Sequence, residues 1–187
     1  RERTELLLQT APVTCPVDCW VIDAVSQPLP TQHGVGLARK IGNDAACALW
    51  LAGQLACPWL YQRDADSVLP ANNFSSELPD RGAVVFAHHH NSRDPLLQRA
   101  AVLYERHMQH YVRGLQQAGS PYAYPTLGST LAIHLQDYAL VRGFPKRSAA
   151  EDLYLLNKVA KVSHVTCKAE VTVSIQARIS QRGPFGT

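Results

Sequence analysis

Hydrophobic and polar positions along this chain switch repeatedly between a strand-like and a helix-like period. Residues 17–25, rich in Val, Ile and Trp, predict a buried strand. Ser26 to Gly36, rich in Pro, Gly and polar residues, predicts a loop. From Val35 the period becomes helical: Val35, Ala38, Ile41, Ala45, Ala48, Leu49 and Ala52 recur three or four residues apart, and Gly53 suits the position just past a helix end. Pro58 to Gln62 predicts a short buried strand ending in Arg63-Asp64-Ala65-Asp66. Ala83 to Ala87 predicts another, with His88-His89-His90 in the loop that follows.

Asp94 is a good N-cap and Pro95 a good first helical residue. Leu96, Ala100, Leu103, His107, Tyr111 and Leu115 then predict one face of a long helix ending near Gly119. A strand follows over 130–134, a short helix over 137–141 and a helix over 150–161 with Leu153, Leu156, Val159 and Ala160 on its apolar side. From Val165 to Ser180 apolar odd positions alternate with polar even ones, which predicts a strand with one wet face, bent or split because of its length. Strands alternating with helices predict an α/β sheet, with an antiparallel addition at the C-terminal end.

Composition narrows the class. A chain of 187 residues that is 46% hydrophobic can bury one core and is not a disordered polymer. Eighteen Lys and Arg against fifteen Asp and Glu leave +3, too mild a charge for general nucleic-acid binding. Of the five cysteines, Cys15, Cys19, Cys47, Cys57 and Cys167, none forms a C-x-x-C pair, so a zinc ribbon is not expected; three lie in apolar surroundings and read as small core residues in a reducing, cytoplasmic compartment. The longest apolar stretch, Ala45 to Tyr61, is interrupted by Gly53, Gln54 and Pro58 and falls short of the ~20 residues a spanning helix needs. It predicts a buried helix and a buried strand, leaving membrane-surface association open. No initiator Met or signal peptide opens the chain, which suggests a fold incomplete at both ends.

Two acidic motifs carry chemistry. Asp64-Ala65-Asp66 places two carboxylates at the end of a strand, where residues two apart share a face. Such a pair suits a hard divalent cation, Mg²⁺ or Mn²⁺; a solvated turn is the alternative. Glu151-Asp152 opens a helix, where acids favour the macrodipole; the same carboxylates near a hydroxyl would serve as a general base.

The order and spacing of several segments resemble the family 2 glycosyltransferases of the GT-A fold. The segments are Gly34-Val35-Gly36-Leu37-Ala38-Arg39-Lys40-Ile41-Gly42, Asp64-Ala65-Asp66 with Pro70 and Phe74, Gly128-Ser129-Thr130, Gly143-Phe144-Pro145 and Ala150-Glu151-Asp152-Leu153. The resemblance covers about residues 17–165. Two features of the family pattern are absent: the opening strand with its Pro-x-Tyr-Asn-Glu loop, and a helix and strand between Asp23 and Gly34.

The resemblance implies a GT-A type α/β fold, with a mixed, mostly parallel sheet flanked by helices in one domain over 1–187. Residues of about 17–75 would hold the nucleotide sugar and metal, and those of about 76–187 the acceptor. It implies a metal-dependent glycosyltransferase moving a sugar from a nucleotide-diphospho-sugar to an unidentified hydroxyl acceptor with inversion. Asp66 would bind Mn²⁺ or Mg²⁺, and Asp64 would sit near the metal or the donor ribose. Asp152 would be the catalytic base with Glu151 beside it. Asp23, Arg39 and Lys40 would contact the nucleotide, and Gly128 and Ser129 the sugar. Charge position alone, apart from the resemblance, suggests that a terminal segment carrying Arg178 and Arg182 near a strand end would close over the diphosphate. The rivals are a retaining glycosyltransferase of the same fold, a sugar-nucleotide nucleotidyltransferase, and a binding module without activity.

Overall fold

The computed structural model describes residues 8–10, 20–23, 26 and 29–179. Strands β1 (Leu8–Thr10) and β2 (Trp20–Ile22) pair antiparallel in a separate two-stranded ribbon. The strand expected over 17–25 is therefore not a buried member of the main sheet, and Val21 is exposed. Helix α1 (Gly34–Leu51) starts and stops close to its sequence signals, and Gly53 takes the left-handed conformation at φ 72° that ends a helix without strain. Its buried residues are Gly36, Asn43 and Cys47, while Val35 and Leu51 are exposed. The segment from Ala45 to Tyr61 is thus only half-buried, because polar residues of α1 turn inward toward the acids described below.

Strands β3 (Trp59–Gln62), β4 (Ser67–Val68) and β5 (Ala83–Asn91) follow, then helix α2 (Pro95–Gln117) and strand β6 (Leu131–His134). Helices α3 (Leu135–Leu140) and α4 (Glu151–Val159) precede the last strand, β7 (Val165–Gln176). Five strands form one sheet in the order β3-β6-β5-β7-β4. The sheet is mixed, but of its four pairings only β5 with β7 is parallel, so it is not mostly parallel as expected. The closing strand is not an antiparallel addition: β7 lies parallel to β5 and antiparallel only to β4.

The continuous apolar run of β5 reflects burial on both faces. Ala83 and Val85 pack with Leu131, Ile133, Tyr138, Phe144, Leu155, Leu156 and Val159 beneath α3 and α4. Val84 and Phe86 pack on the opposite face with Val171, Val173 and Ile175. In β7 the alternation holds from Val171 onward but not over Val165 to Ala169. The register against β5 shifts between Phe86 and Ala87, moving the partner from Lys168 to Thr172. That irregularity is the bend the length implied. Strand β5 also runs on through His88, His89 and His90, which are strand residues and not a loop. Cys15 and Cys19 lie outside the described residues; of the others Cys47 is buried, whereas Cys57 and Cys167 are exposed.

Candidate functional site

Close approach of two backbones positions the first acidic cluster. The Gly36 N–H donates to the Arg147 carbonyl at 3.0 Å, docking the first turn of α1 on the segment before α4. A Cβ on Gly36 would lie 2.3 Å from the Pro145 carbonyl oxygen and 2.7 Å from the Arg147 backbone nitrogen. Only glycine lets these two helix starts meet.

Their meeting sets Arg39, one turn along α1, between acids from two other segments. Its Nη2 donates to Asp64 Oδ1 at 2.7 Å and its Nε to Glu151 Oε1 at 3.1 Å. Gly128 leaves the space this guanidinium fills, since a Cβ there would fall 2.8 Å from Arg39 Nη2. Burial, and then the Asp152 charge, push the Glu151 carboxyl above its ordinary range, with Arg39 opposing. Asp152 is also raised, by burial first; the Leu153 N–H and Arg39 oppose this and Asp64 adds to it. Burial and then the Asp152 charge raise the phenol of Tyr104 on α2. Arg39, Asp64, Gly128, Glu151 and Asp152 therefore converge. Ala150 just before the acids is a non-glycine residue at φ 58°, a left-handed conformation that carries strain.

Asp64 and Asp66 do not share a strand face. Both lie in the link between β3 and β4, where the Ser67 N–H donates to the Asp64 carbonyl at 3.1 Å. The chain reverses there, so strand alternation does not govern the side chains. Asp66 pairs instead with Arg178, whose Nη2 is 3.3 Å from its Oδ2. Both residues line a cleft of about 960 Å³ with Asn91, Arg93, Asp94 and Ser174. The cleft lies at the carboxyl ends of β5 and β7, where open α/β sheets bind ligands. Asp64, Glu151 and Asp152 do not line it.

The other expected residues are dispersed. Lys40 Nζ donates to Asp44 and to the Arg142 carbonyl, and faces a second cleft of about 300 Å³ away from Asp64. Ser129 is buried and its carbonyl accepts from Arg63. Asp23 accepts from the Ser26 N–H and hydroxyl in a local turn. Arg182 lies outside the described residues.

Two groupings escaped the sequence reading. Arg63 donates to the carbonyls of Gln62 and Ser129 and to Asn73 Oδ1, and its guanidinium lies over Phe86 at 5.1 Å. Burial pulls its pKa down to about 10. It anchors the chain one residue before Asp64, and that adjacency was its only signal. His90 on β5 donates its backbone N–H to Glu105 Oε1 and holds Nδ1 2.9 Å from the same oxygen, with its ring perpendicular to that of His88. The pairing was hidden because Glu105 lies 15 residues away on α2.

Among the described residues, no three His, Cys, Asp or Glu side chains gather as a ready metal site, and no helix is long and apolar enough to cross a membrane. A scan against protein-family models gives no match, and a search of curated proteins finds none.

Proposed function

We propose that this chain carries a metal-dependent glycosyl-transfer site of the GT-A type, acting on a nucleotide-diphospho-sugar and a hydroxyl acceptor with inversion. The observation that supports this reading is the convergence of Arg39, Asp64, Gly128, Glu151 and Asp152, with Arg39 and Glu151 112 positions apart, which gathers five of the residues the resemblance names.

Asp64 and Asp66, at the two ends of the link between β3 and β4, are the acids that would hold a hard cation. Each arginine engages one carboxylate oxygen, Asp64 Oδ1 or Asp66 Oδ2, leaving one oxygen of each acid outside these ion pairs. With only two acids to offer, the protein would rely on substrate phosphates and water for the remaining ligands, as Mg²⁺ sites commonly do. When bound, such an ion neutralises charge developing on a diphosphate leaving group. Arg39 beside Asp64 and Arg178 beside Asp66 would add positive charge toward such a leaving group. Asp152 would accept the acceptor's hydroxyl proton, and its upward-shifted carboxyl lies in the direction an efficient base at neutral pH requires.

Thermal stabilisation by UDP or GDP, with and without Mn²⁺, tests donor binding. The expected shift requires the metal and disappears in Asp66→Ala. Asp152→Asn should keep the shift and lose transfer from the nucleotide sugar that binds. The full pairing of Arg39 with Asp64 and Glu151 favours a second reading, a nucleotide-binding module without activity. Nucleotide binding that is independent of metal and unchanged in Asp66→Ala would select that module.

A further inference from the structure

Helix α2 is 23 residues long, about 35 Å, yet Ala101 is its only buried residue. Its inner side is marked by Leu97, Ala101, Glu105, Met108, Val112 and Leu115, each buried or half-buried. Of the six positions the sequence pattern marks as the packing face, Leu115 turns inward, but the stripe Leu96, Ala100, Leu103, His107 and Tyr111 points outward instead. Leu96 is 79% exposed, Leu103 57% and Tyr111 59%. Beside the stripe, Arg99, Arg106 and Arg113 recur every seven residues and are all exposed, so they form one row. None of the three makes an ion pair among the described residues. The helix carries one acid, Glu105, which is turned inward to His90.

We infer that this outer face of α2 docks on an anionic phospholipid surface. An apolar stripe bordered by arginines, with no outward acid, is the pattern of a helix lying in a membrane interface. The leucines enter the headgroup boundary, while the long arginine side chains reach phosphate oxygens. Charge disfavours a second copy of the chain: two-fold packing of antiparallel α2 helices sets each arginine row against its equivalent. A nucleic-acid backbone would engage the arginines but leave Leu96 and Leu103 in water. The stripe begins beside the large cleft, since Leu96 adjoins Leu97, a lining residue, and Ile179 on the same lining is 88% exposed.

Co-sedimentation of the full chain with vesicles tests the inference, independently of any transferase activity. The expected result is binding to phosphatidylcholine vesicles containing roughly a third phosphatidylglycerol, no binding to pure phosphatidylcholine, and weakening by salt. Combined Arg99→Gln, Arg106→Gln and Arg113→Gln should weaken binding roughly a hundredfold. Leu96→Ser with Leu103→Ser should weaken it about tenfold or more. These side chains are exposed, so unchanged circular dichroism should accompany both losses. Absence of wild-type binding to the anionic vesicles, or equal binding by the triple arginine variant, overturns the inference. Arginine-dependent binding to duplex DNA without vesicle binding overturns it in favour of nucleic acid, and a dimer dissociated by the leucine pair without vesicle binding overturns it in favour of self-association.

Discussion

Arg39→Met removes the guanidinium that joins Asp64 to Glu151. The two bridges differ in worth, and in the opposite sense to their lengths. The Asp64 contact is the shorter at 2.7 Å, but that side chain is 49% exposed. Water and salt screen it, and such a bridge contributes no more than about 1 kcal/mol. The Glu151 contact is 3.1 Å, but the two side chains are only 11% and 7% exposed. Removing one partner there strands a buried carboxylate, at a cost of about 3–5 kcal/mol. Arg39→Met should therefore lose roughly 3 kcal/mol or more at neutral pH, nearly all through Glu151.

The pH dependence is the sharper part of this prediction. Burial and Asp152 already raise the Glu151 carboxyl, and Arg39 restrains it. Without Arg39 it rises further. A folded-state pKa above the unfolded value means that the folded chain binds more protons in that window. Stability is then gained as pH falls through the raised value toward the unfolded one, about 4.3. The deficit of Arg39→Met relative to wild type should shrink from neutral pH down to that point. Urea denaturation across this range, on Arg39→Met, Glu151→Gln and the double variant, measures it. The double variant should be more stable than Arg39→Met alone, giving a coupling of about 1–3 kcal/mol. A loss below about 1 kcal/mol, or a deficit that does not change with pH, refutes the argument that Arg39 carries Glu151.

Three further outcomes follow from the same geometry. Gly36→Ala drives a Cβ to 2.3 Å from a carbonyl oxygen on backbone that cannot swing aside, so it should lose about 3 kcal/mol or more in urea denaturation, well beyond an ordinary helical Gly-to-Ala change. Ala150→Gly relieves a left-handed alanine at φ 58° and should raise stability by about 1 kcal/mol, read as a higher Tm. Burial, and then His90, pull the His88 pKa from 6.5 to about 4, so the folded chain binds fewer protons between those values. That contribution is present above about pH 6.5 and is lost as pH falls toward 4, by up to about 3 kcal/mol, and His88→Gln should flatten this part of the denaturation profile.

What the sequence revealed divides along physical lines. Helix ends were legible because caps are local: Asp94 accepts from the Leu96 and Leu97 N–H groups, as an aspartate before proline predicts. The strands at β2, β3, β5, β6 and β7 were legible from apolar runs, whereas β1 and the two-residue β4 were not expected; pairing was not legible either, because hydrogen-bonding partners for β7 come from β5 and β4, far back in the chain. The apolar faces of α1 and α2 misled for a common reason. Hydrophobic spacing marks the stripe that ought to be buried, yet on α1 the inward side is fixed by Arg39 and Asn43 meeting Asp64, Glu151 and Gln62. On α2 it is fixed by Glu105 reaching His90. Polar tethers chose the orientation, and no periodicity records them.

The divergence of Asp64 and Asp66 follows from topology in the same way. Strands β3 and β4 are the two edges of one five-stranded sheet, although only residues 63–66 separate them. Flat strands at the usual spacing of about 4.8 Å would set those edges about 19 Å apart, beyond the reach of a hydrogen-bonded turn. The sheet is therefore curled, and the acidic tripeptide is the strap that joins its edges. One end of the strap belongs to β3 and α1, which explains why Asp64 meets Arg39. The other end belongs to β4 and β7, where the Gln176 N–H donates to the Asp66 carbonyl and Arg178 meets its side chain. A ligand that engages both carboxylates would thus tie together the two edges of the sheet. On that account, Asp64→Asn and Asp66→Asn should each reduce nucleotide-dependent thermal stabilisation in Mn²⁺, and the double variant should lose no more than the more severe single one. Additive losses would mean that the two acids serve separate ligands on either side of the strap.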